Sequence, residues 1–182
     1  TESAQFVECL QKETGQIFYC AANYISFLLA EPADFLSDVI YDADMADVAS
    51  VQVHIDGETD LNMELDSENK QYIVNDIDVD ALGTDAVDAL TTLYDNLTGL
   101  TTSTLDLTDN VPTEEEPEIT LTYNLKDGTT EVITFLTKDK ESYYVLRNGE
   151  YSGFLAKRTA FTSRNGILEF YHRLEKTIGM TE

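Results

Sequence analysis

"VQVHIDGETDLNMEL", residues 51 to 65, alternates along most of its length. Val51, Val53 and Ile55 are separated by Gln52 and His54; beyond the turn, Leu61, Met63 and Leu65 are separated by Asn62 and Glu64. A side-chain period of two belongs to a strand with one face buried and the other in water. Between the two runs stands Asp56-Gly57, a pair that tolerates the positive φ of a tight hairpin turn. The stretch therefore predicts two half-buried antiparallel strands. A polar break, "DSEN", leads from them into a third strand, "KQYIV".

The same order of parts recurs downstream. Ile119, Leu121, Tyr123 and Leu125 alternate, "KDG" turns the chain, "TTEVITFL" returns, and after "TKDKE" comes the aromatic strand "SYYVL" with a turn at Asn148-Gly149. Gly57 and Tyr72 stand fifteen residues apart, as do Gly128 and Tyr143. Each copy ends in a helix, and the pair reads as an internal repeat.

The first helix is carried by Leu82, Ala86, Ala89, Leu90, Leu93, Leu97 and Leu100, which recur at three-and-four spacing. Asp85, Asp88 and Asp95 fall on the rest of its circumference, towards water. Asp80 or Thr84 is expected to cap its start, where a carboxylate also suits the exposed amides. Asp76 and Asp78 alternate with Ile77 and Val79 in the approach to it. The last helix is expected over about residues 163 to 178, with Ile167, Tyr171, Leu174 and Ile178 as its apolar stripe and Gly179 as its stop. "TTSTLDLTDNVPTEEEPE", with Pro112 and Pro117, reads as the loop between the copies.

The N-terminal stretch is different. "IFYCAANYISFLLAEPADF" echoes "YYVLRNGEYSGFLAKRTAF" near the other end, Tyr24 matching Tyr151 and Phe27-Leu28 matching Phe154-Leu155. Residues 1–40 are accordingly read as the tail of a preceding module. Residues 41–117 form the first unit and 118–182 the second, the two together one module. The fold class expected is α+β: antiparallel sheet segments from two hairpin-rich units, each packed by a helix.

Charge narrows the function. The 182 residues hold 35 Asp and Glu against 11 Lys and Arg, a net charge of −24. From Glu31 to Glu118 there are 24 acids and a single Lys, Lys70, whereas nine of the eleven Lys and Arg lie from Lys126 onward. Nucleic acid is a poor partner for such a surface, because binding it requires basic side chains against the phosphates. An anionic membrane surface is disfavoured for the same reason. No apolar run approaches membrane-spanning length, so no direct insertion by this segment is expected. The chain opens on Thr1 rather than Met, which reads as a mature or trimmed form. Cys9 and Cys20 are compatible with a disulfide or with two buried thiols.

The acidic run "VNDIDVDALGTDAVDAL", residues 74 to 90, is not an EF-hand. Counting from Asp76, the sixth position is Ala81 and the twelfth Val87, where calcium loops need Gly and Glu. These acids read as solvated surface, as charge runs usually are. His54, His172, Cys9 and Cys20 are scattered and lack the close ligand pairs of structural zinc sites, so no metal and no cofactor is expected. There is no Gly-x-Ser-x-Gly elbow and no Gly-rich phosphate loop. No catalytic residue is assigned. The remaining hint is aromatic: Tyr143, Tyr144 and Tyr151, with "EFYH" at 169–172, offer a groove for a ligand or peptide, set against the commoner placing of tyrosines at core edges.

Several stretches in order resemble the domain-of-unknown-function family numbered 4340, found in bacterial envelope proteins. They are "LLAEPADFLSDVIYDADMADVASVQVHIDGE", "YIVNDIDVDALGTDAVDALTTLYDNLTGL", "ITLTYNLKDGTTEVITF" and "YYVLRNGEYSGFLA". The resemblance implies an N-terminal membrane anchor, repeated domains outside the cytoplasm and, for some members, a place beside ABC-type transport systems. It implies no activity. The function expected is a non-catalytic binding or scaffold module with a protein or envelope component as partner. The alternatives are a cell-surface enzyme acting on polysaccharide and an acidic mimic of nucleic acid.

Overall fold

The computed structural model describes residues 6–25, 38–58, 60–108, 111 and 115–180. They fall into two compact units, one within Thr1–Ser37 and the other within Asp38–Glu182. In the first, β1 (Phe6–Gln11) and β2 (Gln16–Ala21) form an antiparallel hairpin followed by the short helix α1 (Ala22–Ile25). Cys9 and Cys20 are free and half-buried. Partial burial, and then the neighbouring Cys20, push the Cys9 thiol above its ordinary range. Phe27-Leu28, the last step of the terminal echo, and Pro112 lie outside the described residues.

The second unit is α+β, built on one antiparallel sheet. Its strands are β3 (Val48–Ile55), β4 (Leu61–Asp66), β5 (Gln71–Val74), β6 (Ile77–Asp78), β7 (Thr104–Leu105), β8 (Ile119–Leu125), β9 (Thr130–Thr137), β10 (Ser142–Arg147) and β11 (Glu150–Lys157). They lie in the order β6-β5-β4-β3-β8-β9-β10-β11-β7. Strands β3 and β8 pair at the centre, Val53 opposite Leu121 and Ile55 opposite Ile119. On either side the chain meanders outward through short turns. Gly57 and Gly128 hold positive φ of 83° and 90°, as the two Asp-Gly turns require.

The alternation read from the sequence is the alternation observed. Val51, Val53, Ile55, Leu61, Met63 and Leu65 are buried, and Gln52, His54, Asn62 and Glu64 are exposed. The same inward row continues through Ile119, Leu121, Tyr123, Ile133, Phe135, Tyr143 and Val145. Two longer helices, α2 (Thr84–Thr98) and α4 (Ile167–Ile178), pack against each other and share this core. Burying each large side chain stabilises the fold by about 1.5–3 kcal/mol.

Helix α2 buries Ala86, Ala89, Leu90, Leu93 and Leu97, with Tyr94 added, while Asp85, Asp88 and Asp95 are exposed. Its start differs from expectation. Gly83 is the N-cap and no side chain caps it. Asp80 sits in a 3-10 turn (Asp80–Leu82) and its carboxylate instead accepts from the Tyr72 backbone N–H at 2.7 Å. Leu82, in that turn rather than in the helix, is exposed.

The expected stripe of α4, Ile167, Tyr171, Leu174 and Ile178, is buried, and Gly179 ends the helix in the left-handed region. Its N–H and that of Met180 reach back to the last carbonyls in the manner of a Schellman cap. The helix begins later than expected because a short helix, α3 (Thr159–Thr162), takes the preceding turn. At the joint, Gly166 lies so close to the α3 backbone that a Cβ there would come within 2.5 Å of the Phe161 carbonyl oxygen.

Candidate functional site

The two halves of the outer sheet face, opposite the helices, differ. Over β9, β10 and β11 this face carries Leu136, Leu146 and Leu155, all buried. The segment running through β7 is tied to β11. Ser103 N–H donates to the Leu155 carbonyl at 2.7 Å and Asp106 N–H to the Gly153 carbonyl at 2.8 Å. Tyr151 donates its hydroxyl to the Asp106 carbonyl at 2.8 Å, and Lys138 forms an ion pair with the Asp106 carboxylate. That pair holds Asp106 below the usual carboxylate range.

The three tyrosines singled out from the sequence are therefore not one groove. Tyr143 and Tyr144 are adjacent on β10, so they face opposite sides of the sheet. The Tyr143 ring is fully buried among Phe135 and Phe161. Its hydroxyl donates to Glu118 at 2.7 Å, where Arg158 also donates at 2.6 Å. Burial alone would raise the Glu118 carboxyl, but the donors from Tyr143, Arg158 and Thr137 more than offset it and leave it below its ordinary range. On the other face, the rings of Tyr144 and Tyr151 meet edge to face at 5.6 Å, and Lys138 lies over Tyr144. Of "EFYH", Tyr171 is core and His172 is half-exposed.

Over β3, β4 and β8 the outer face is open among the described residues. Gln52, His54, Asn62, Thr120 and Thr122 project from neighbouring strands into a concavity of about 350 Å³, with Asp60 and Asn75 at its edge. His54 Nδ1 lies 2.6 Å from Asp60 Oδ1. Asn75 fixes that edge: its side-chain oxygen accepts from Asn62 N–H at 2.7 Å and its amide donates to the Asp60 carbonyl at 2.8 Å. Asn75 and Asp76, with φ of 46° and 66°, form the turn between β5 and β6. A second concavity of about 520 Å³, reached past His54, is lined by Asp56, Glu116, Pro117, Glu118 and Thr137. The surface offers amides, hydroxyls and acids, the groups for hydrogen-bonded contact with an extended chain or a polar face.

Asp76 and Asp78 are exposed and Asp80 serves its own backbone contact. Among the described residues, one grouping brings metal-binding atoms together: Glu58, His172 and Glu175, whose ligand atoms lie within 4.8 Å of one another. Sequence reading passed over it because Glu58 lies in the β3–β4 turn, far from α4. The signal present was His172 and Glu175 at i and i+3, neighbours on one helix face. No helix among the described residues is long and apolar enough to cross a membrane. No protein-family model matches this chain, nor does any curated protein or solved structure.

Proposed function

We propose that this chain is a non-catalytic, extracytoplasmic binding or scaffold module of a membrane-anchored bacterial envelope protein, auxiliary to an ABC-type transport system. The envelope setting, the anchor and the transporter rest on the resemblance to the family numbered 4340. The binding role rests on one observation: among the described residues the polar outer face of β3, β4 and β8 holds a concavity of about 350 Å³, beside a half whose outer face buries Leu136, Leu146 and Leu155. A scaffold needs such a surface. Charge orients it, since the acidic middle of the chain repels acidic partners and steers basic ones.

Two further readings belong to this proposal. The meanders on either side of β3 and β8 are copies of one unit, which is supported by their paired Asp-Gly turns and by a helix after each. Residues 1–40 are the tail of a preceding module. Phe6, Leu10, Ile17 and Tyr19 are exposed there, and a lone hairpin buries too little to stand by itself.

The test is made on the full-length gene product in its own cells. Protease added to intact spheroplasts is expected to degrade this module while a cytoplasmic marker survives, and the purified module is expected to release no sugar from envelope polysaccharides. Protection of the module, or sustained hydrolysis that copurifies with it, would overturn the proposal.

A further inference from the structure

Glu175 is only 4% exposed. It stands in the last turn of α4, where the partial negative charge of the helix end opposes a carboxylate, in a chain of net charge −24. Buried charges are paired or bind metals. Here the carboxylate meets His172 Nδ1 at 3.2 Å, and His172 Nε2 lies 3.7 Å from Glu58 Oε1. The hydroxyl of the neighbouring Tyr171 is buried with no hydrogen-bond partner among the described residues. The Tyr171 ring meets the His172 ring edge to face at 5.6 Å. An unpartnered hydroxyl thus belongs to the ring packed against this imidazole.

We propose that Glu58, His172 and Glu175 form a binding site for a divalent transition cation of the zinc class. One nitrogen and two carboxylates suit zinc, whereas calcium takes roughly six to eight oxygens. Ligands held at about 2.0–2.2 Å from one ion lie close together, and these three atoms already lie within 4.8 Å of one another. One imidazole nitrogen ligates beside the two carboxylates. The fourth position is left to water. The ion would join the turn between β3 and β4 to α4, tying the two halves of the chain. This site is independent of the outer-face reading.

The probe is zinc alone, titrated calorimetrically into tag-free, chelator-treated protein with millimolar Mg²⁺ present to occupy surface acids. One saturable site is expected, and Tm is expected to rise with Zn²⁺ but not with Ca²⁺. Glu58→Gln and His172→Gln change partly exposed side chains and are expected to keep the native circular dichroism while weakening binding on the order of tenfold or more. The absence of a saturable site, variants that bind like the parent, or equal effects of Ca²⁺ and Zn²⁺ would each overturn the proposal. So would a Tm that ignores zinc.

Discussion

The Tyr143 hydroxyl donates to Glu118 Oε1 at 2.7 Å, and Arg158 shares that oxygen while lying over the Tyr143 ring at 4.4 Å. A buried ring on β10 is thus joined to the first residue before β8 and the last turn before α3. Removing only the hydroxyl, by Tyr143→Phe, is expected to cost about 1.5–3 kcal/mol, the usual range for a hydrogen bond to a charged group. Urea unfolding at neutral pH measures it.

That contact also sets a pH dependence. The folded Glu118 carboxyl lies below its ordinary range, so its contribution is fully present above the unfolded glutamate value of about 4.3. It is lost as pH falls through the folded value. Thermal melts between pH 3 and 7 are expected to show Tyr143→Phe losing stability at higher pH than the parent, because one donor holding the carboxylate down is gone.

The acids of α2 are expected to be dispensable for folding. Replacing Asp85, Asp88 and Asp95 together by Asn leaves the buried stripe intact and relieves repulsion, so stability is expected to hold or rise slightly. Leu93→Ala on the opposite side is expected to cost about 2–5 kcal/mol. Chemical denaturation of the two variants side by side separates surface from core.

Net charge gives a salt response of definite sign. With −24 on 182 residues, self-repulsion opposes the compact state, and added NaCl screens it. Tm is expected to rise between low and moderate ionic strength. A fall would mean that the ion pairs Arg147–Glu131 and Lys138–Asp106 outweigh the repulsion.

At the joint between α3 and α4, Gly166→Ala is expected to be strongly destabilising. Its Cβ would meet backbone, which cannot step aside like a flexible side chain. A Tm drop of several degrees checks it, with Gly57→Ala, at an open turn, as the milder comparison.

The sequence was most legible where period alone decides. The inward residues of 51–65 and the stripe of α4 are buried as their spacing requires, because a strand or helix that must cover a core has one way to turn. The same rule applied to Tyr143 and Tyr144 separates them, since neighbours on a strand cannot share a face. Caps were harder: Asp80 looked like an N-cap, but a 3-10 turn moved it to the Tyr72 amide. Hidden altogether were features made by distant segments, such as Asp106 reaching Lys138 and Tyr151, or Glu58 reaching α4. No local pattern encodes those meetings; only the sheet order brings them about.

The most direct measurement of the binding role places a photocrosslinking amino acid at position 122, on the open face, and separately at position 88, on the outer side of α2. The full-length protein carries each in its own cells. The account predicts one discrete covalent adduct from 122 and none from 88. No adduct from 122, or matching adducts from both positions, would contradict it.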